Sequence, residues 1–246
     1  MKISYGTDVG IVRNENQDSV YVHRFSDTCG LFIVADGMGG YEGGKLASTC
    51  AVQNISDYVI AEFEETMSGE QIVEMLQVAI KNTSKKIYEI SSGNKELRGM
   101  GTTVVACVVS GSTLYTASVG DSRGYVYSGG RLQQITRDHS LVYDMVSKGL
   151  ISKEEARVHP QKNVITRAVG SEEIVITDTF VTRLNANDIV LICSDGLHTM
   201  ISDEQITQML KNDTEDTADR LITLANENGG RDNITVITVK ISEEVK

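Results

Sequence analysis

Short apolar runs rich in β-branched residues are the strongest constraint on how this chain can fold. They occupy residues 31–35, 103–109, 174–176, 189–193 and 234–239. None is long enough for a helix, and Gly, Asn, Asp or Ser flanks most of them, so each is predicted to be a strand. Residues 105–109 and 114–119 are joined through Gly111-Ser112. Residues 125–127 lead through Ser128-Gly129-Gly130 into Arg131-Leu132. Both pairs predict hairpins, and consecutive hairpins favour antiparallel sheets.

Helical periodicity falls in blocks between these runs. Ile72, Leu76, Ala79, Ile80, Thr83, Ile87 and Ile90 share one face, and Ser68 with Gln71 forms a capping box ahead of them. Residues 44–62 also read as helix. Ser202 with Gln205 opens another, with Ile201 and Ile206 as its hydrophobic staple. A last helix is predicted over 216–228, burying Ala218, Leu221, Ile222 and Ala225 and stopping at Gly229. A small insertion, about residues 140–170, holds a third capping box (Ser152 with Glu155) and the one proline, Pro160. The order lacks steady βαβ alternation, which disfavours Rossmann and TIM folds and predicts a layered α+β domain.

Composition limits the function classes. With 23 Lys and Arg against 34 Asp and Glu the net charge is −11, which argues against nucleic acid as the main partner. Apolar residues make up 40%, enough for a sizeable core. No apolar run approaches the roughly 18 residues of a membrane span, and the first residues lack a signal-peptide core. Cys29, Cys50, Cys107 and Cys193 form no C-x-x-C pair and read as reduced thiols, so a cytoplasmic protein is expected.

The aspartates carry the chemistry. The run 31–35 leads into Asp36-Gly37-Met38-Gly39-Gly40, the run 114–119 into Gly120-Asp121-Ser122-Arg123, and the run 189–193 into Ser194-Asp195-Gly196. Asp232-Asn233 precedes 234–239, and Asp18 precedes a predicted strand over 19–23. Any one Asp-Gly can be a plain turn. Several carboxylates at strand ends, however, can meet at one rim of a sheet, where they repel unless divalent cations intervene. Carboxylate and carbonyl oxygens suit Mg²⁺ or Mn²⁺ rather than zinc, and Gly37 could add its carbonyl. Two such ions can activate water and clamp a displacement at a phosphate ester. Arg13, in Arg13-Asn14-Glu15-Asn16-Gln17-Asp18, is the candidate for the phosphate oxygens.

These blocks, taken in order with Gly101-Thr102-Thr103, Asp138-His139-Ser140 and Gly230 to Thr235, resemble the metal-dependent serine/threonine protein phosphatases of the type 2C (PPM) family in their compact bacterial form. The resemblance spans nearly the whole chain. It implies a four-layer α-β-β-α sandwich, two antiparallel sheets flanked by helix pairs, as one catalytic domain over 1–246 with a flap at about 140–170. It implies that Asp36 bridges two ions, Gly37 gives a carbonyl to one, and Asp195 and Asp232 complete the other. Asp18 would act through bound water, and Asp121 with Asp195 would serve a third, weaker ion. Arg13 would hold the substrate phosphate during in-line attack by a metal-bridging hydroxide. It further implies phosphorylated protein substrates, an opposing Ser/Thr kinase, and a monomer. One departure stands out: family histidines are replaced by Met38 and Tyr41, which leaves Tyr41, bound water or His159 as sources of the leaving-group proton.

Three other readings compete, one of them a phosphatase of the same fold that acts on small phosphate esters or on the phosphoserine of one dedicated regulator. Gly120-Asp121-Ser122-Arg123-Gly124 fits G-x-S-x-G, the elbow of serine hydrolases, but that motif needs a helix next and a hairpin is predicted there. A protein that only holds phosphoproteins would have little use for the full set of Arg13, Asp36, Asp195 and Asp232.

Overall fold

The computed structural model describes residues 1–242, apart from the side chains of Tyr41, Lys153 and Arg157. One sheet runs in the order β1 (Lys2–Asp8), β11 (Ile234–Lys240), β10 (Ile189–Cys193), β7 (Arg123–Ser128), β8 (Arg131–Gln134). The other runs β2 (Asp18–Arg24), β3 (Cys29–Met38), β5 (Val104–Ser110), β6 (Thr113–Val119), β9 (Asp178–Arg183), with β4 (Gly101–Thr102) added to the end of β3. Every pairing between these strands is antiparallel. Both predicted hairpins form, closing at Ser110↔Thr113 and Ser128↔Arg131.

Three apolar layers separate four structural layers. Phe32, Val34, Val105, Cys107, Ile192 and Ile237 fill the space between the sheets. On the far side of the β2-to-β9 sheet, Leu31, Ile33 and Ala106 meet Ile55 and Val59 of α1 (Gly40–Glu62) and Ile72, Leu76 and Ile80 of α2 (Gly69–Gly93). On the far side of the other sheet, Leu191, Ile234 and Val236 meet Ile206 and Leu210 of α6 (Asp203–Lys211) and Leu221 and Ala225 of α7 (Thr217–Glu227). Alternate residues of a buried strand face opposite layers, so Leu31 and Phe32 serve different cores. All three capping boxes are made, at Ser68, Ser152 and Ser202. The insertion carries α3 (Leu141–Ser147) and α4 (Lys153–Val158). A single turn, α5 (Asp195–His198), follows β10. Among the described residues no helix is long and apolar enough to cross a membrane.

Two elements differ from the sequence expectation. Residues 174–176 form no strand: Ile174 and Ile176 are 66% and 70% exposed, and pairing with β6 begins only at Asp178 opposite Ser118. A β-branched run needs a partner edge to become a strand, and among the described residues this one has none. The first strand, β1, is the second difference. Its burial alternates weakly and Gly6 interrupts it, so it takes its conformation from the β11 edge rather than from its own pattern.

Candidate active site

The aspartates meet where the two sheets come together. Asp18 opens β2 and stands directly across from Asp36 of β3. Like charges facing across a ladder destabilise it, so this register demands a compensating partner. Asp121 lies on the connection from β6 to β7, Asp195 begins α5 beyond β10, and Asp232 immediately precedes β11. An open cleft of about 600 Å³ is lined by Arg13, Asp36, Gly37, Asp121, Asp195 and Asp232. Asp18, 1% exposed, lies beneath its surface.

Hydroxyls and amides fix these groups. Ser194 Oγ and Thr235 Oγ1 each donate to Asp18 Oδ2 at 2.7 Å, so groups flanking one sheet hold the carboxylate of the other. Asp36 is held through its main chain, its N–H donating to Thr103 Oγ1 at 3.0 Å and its carbonyl accepting from Thr102 Oγ1 at 2.8 Å. Buried Asn233 accepts from Gln17 N–H at 2.8 Å and donates to Val9 O and Glu15 O at 2.9 and 2.8 Å. It thereby pins both ends of the loop that carries Arg13. Arg13 Nη2 donates to Asp232 Oδ2 at 2.8 Å, an exposed pair. Asn233 was legible only as part of a sequence block. Its role and those of Ser194, Thr103 and Thr235 were not read from the sequence. Ser194 and Asn233 adjoin an aspartate at a strand end, which is a weak signal, and Thr103 and Thr235 adjoin none.

The electrostatics record the crowding. Burial, then the charges of Asp18, Asp195, Asp121 and Asp232, raise Asp36 well above the usual carboxylate range. Burial, then Asp121, Asp232 and Asp18, do the same to Asp195. Burial pushes Asp18 up to about 6 against the hydrogen bonds from Thr235 and Ser194. Asp121 also rises to about 6, through burial and then Asp138. Asp18 Oδ1 and Asp195 Oδ1 are both buried without a hydrogen-bond partner. Unpartnered buried oxygens among mutually repelling carboxylates fit hard divalent cations. The carboxylates face a common space rather than closing on a point: among the described residues, no three His, Cys, Asp or Glu side chains are gathered into a finished ligand set.

Other candidates resolve plainly. Ser122 is buried, shares a hydrogen bond with Thr103 Oγ1 at 2.7 Å, and is followed by β7 rather than a helix, so it is no hydrolase nucleophile. Met38 lines the cleft and has no proton to give, and the Tyr41 side chain lies outside the described residues. His159 accepts from Gln161 N–H within its own loop at 3.1 Å. The insertion's contributions to the cleft lining are Asn163 and Ile165.

A family model described as Protein phosphatase 2C matches residues 10–235. The chain is 42% identical over 242 residues to a serine/threonine phosphatase, stp, of Listeria monocytogenes serotype 4b, covering 98% of this chain and 96% of that one. It is 37% identical over 249 residues to protein phosphatase PhpP of Streptococcus pneumoniae, covering 99% of each. Among solved structures, serine/threonine phosphatase Stp1 from Staphylococcus aureus superposes with a TM-score of 0.93 at 35% identity, over 99% of this chain and 96% of that one. The catalytic domain of the serine/threonine protein phosphatase PstP, in complex with two manganese ions, gives 0.85 at 33% identity, over 98% of each chain.

Proposed function

This chain belongs to the protein phosphatase 2C family and is a metal-dependent serine/threonine protein phosphatase, and from that premise we propose the parts its residues play. The observation that carries the assignment is the meeting of five aspartates and Arg13 at one cleft. Asp36, the Gly37 carbonyl, Asp195 and Asp232 would hold two Mn²⁺ or Mg²⁺ ions. Asp121 with Asp195 would hold a third, and Asp18 would act from beneath through ordered water. When bound, such ions activate water for attack on phosphorus and neutralise the charge that develops there. Arg13 orients the phosphate with its planar fork of N–H donors. Its exposed pairing with Asp232 is weak enough to be exchanged for a substrate anion.

Phosphoserine and phosphothreonine must be made before they are removed, so a Ser/Thr kinase supplies the substrates and is the opposing partner. Every proposed site residue comes from this one chain, which supports a single catalytic domain acting as a monomer. The deciding experiment is a manganese titration of phosphopeptide hydrolysis by the purified protein, with and without chelator. Activity should rise with Mn²⁺ and vanish with chelator. Hydrolysis indifferent to chelator but blocked by serine-directed reagents would overturn the assignment.

Two further results are expected. Arg13→Ala should lower kcat/KM roughly 10- to 100-fold, mainly through KM, the worth of a charged hydrogen bond to substrate. Its Tm should stay near the parent's, because the lost pair is exposed, and Arg13→Lys should recover only part of the KM. The second concerns pH. Asp18 and Asp121, raised to about 6, are largely protonated at pH 5.5 and ionised at pH 7.5. Asp36 and Asp195 are raised further still, and a cation must displace all of those protons, so Mn²⁺ affinity should fall by at least about tenfold from pH 7.5 to 5.5, and binding should release more protons at the lower pH. Calorimetry in two buffers of different ionisation enthalpy measures both.

A further inference from the structure

Both roots of the insertion and the turn bearing Asp121 are joined through one buried ring. His139 is 3% exposed and directly precedes Ser140, the N-cap of α3. Its main-chain N–H donates to Gly120 O at 2.9 Å, and its Nδ1 accepts from Gly120 N–H at 3.0 Å. The ring and backbone of one residue thus clamp both polar groups of Gly120. A ring nitrogen that accepts leaves the proton of the neutral imidazole on the other nitrogen, Nε2. Burial, followed by the charge of Arg167, holds the His139 pKa below its ordinary value despite Asp178, which favours that neutral ring.

Nε2 lies 3.1 Å from Arg167 Nη1, which has no acceptor to offer, and 3.3 Å from Asp178 Oδ2, at the first residue of β9; with the proton on Nε2, the Asp178 carboxylate is the partner this ring can donate to. Arg167 Nη1, from the returning end of the insertion, donates to Asp178 Oδ1 at 2.8 Å. His139 O accepts from Thr166 N–H at 2.8 Å. The outgoing end of the insertion, its returning end and β9 are therefore tied through the main chain and ring of this one residue to Gly120. Gly120 itself has φ +102, and a Cβ there would stand 2.6 Å from the Thr103 side chain, so the turn fits only as glycine. The next residue is Asp121.

We propose that His139 is a positioning residue that couples the 140–170 insertion to the Gly120–Asp121 turn, so that the seating of the insertion sets the place of the Asp121 carboxylate in the cleft. This rests on the reading of Asp121 as a ligand of the weakest cation site. Such outer partners of a ligand typically govern 10- to 100-fold of metal affinity.

Two substitutions in the full chain separate the ring's two functions. His139→Asn keeps an amide oxygen near the Nδ1 position, able to accept from Gly120, but loses the donor to Asp178. His139→Gln reaches the Nε2 position and keeps that donor, but loses the acceptor for Gly120. The readouts are the Mn²⁺ binding isotherm and, with Mg²⁺ for NMR, exchange of the Gly120 amide. Each variant breaks the path between Asp178 and Gly120, so each should weaken the weakest site about tenfold, while only His139→Gln, which leaves the Gly120 amide without its acceptor, should also speed exchange there.

An unchanged isotherm in either variant, or equally fast Gly120 exchange in both, overturns the proposal and leaves His139 a packing residue. Asp121→Asn is the ligand control. If it leaves the isotherm intact, the role of Asp121 and this inference fall together, while chelator-sensitive hydrolysis still reports on the activity itself. The wild type provides a measurement that does not depend on variants folding. By reciprocity, filling the sites with Mg²⁺ should slow Gly120 exchange and shift the His139 ring nitrogens. No response at either position overturns the proposal.

Discussion

Asp36→Asn abolishes hydrolysis and at the same time makes the metal-free protein more stable. The activity loss should be about 1,000-fold or more, because the substitution removes a charge that the site needs for its ions and for stabilising the transition state. The stability gain follows from the crowding. Asp36 faces Asp18 across the ladder and feels Asp195, Asp121 and Asp232 as well. Its carboxyl is raised far above the ordinary range, so the folded chain binds a proton there that the unfolded chain releases. Wild-type stability from this group is present at low pH and is lost as pH rises towards the folded value. Asparagine has nearly the same shape and never carries the charge, so its advantage should be small near pH 4 and grow towards pH 8. Thermal melts in chelator across that range check the sign. Added Mn²⁺ should raise the wild-type Tm and leave the variant's nearly unmoved. Full activity in Asp36→Asn would sink the assignment.

Gly37→Ala should be among the most damaging single changes to the fold. A Cβ at Gly37 would lie 2.0 Å from Gly44 O and 2.7 Å from Gln17 O, both backbone atoms. Neither can swing aside as a side-chain tip could. The strand β3 would have to part from α1 and from the loop ahead of β2, and a loss of about 3 kcal/mol or more is expected in urea unfolding. Gly40→Ala is the contrast. Gly40 has φ +75 but open space around its missing Cβ, so only the left-handed backbone cost of about 1–2 kcal/mol applies. Equal effects from the two substitutions would show that the close approach at Gly37 is relieved at little cost.

The layered α+β architecture was legible because its signals are local and repeated. The face from Ile72 to Ile87 is buried along α2, and each capping box is made where Ser68, Ser152 and Ser202 foretold it. All five aspartates at strand ends gather about one cleft, because a strand end is a position that the sheet itself carries into space. What escaped the sequence depends on partners far away in the chain. The β1 strand exists because β11 offers it an edge, and residues 174–176 stay out because no edge is offered. Asn233 organises the Arg13 loop through contacts 216 to 224 residues distant, which no periodicity can announce.

The hydroxyls that reach from one sheet to the other have a mechanical consequence. Asp18 and Asp36 ride on one sheet, Asp195 and Asp232 flank the other, and Ser194 and Thr235 bridge the gap to Asp18. The cleft is therefore a gauge of the spacing between the sheets. That spacing is set deep inside by residues such as Val34 and Ile237. Trimming a methyl group there touches nothing in the cleft, yet it lets the jaws that carry the carboxylates drift relative to each other. In this molecule the thickness of the oily filling calibrates the chemistry at its rim.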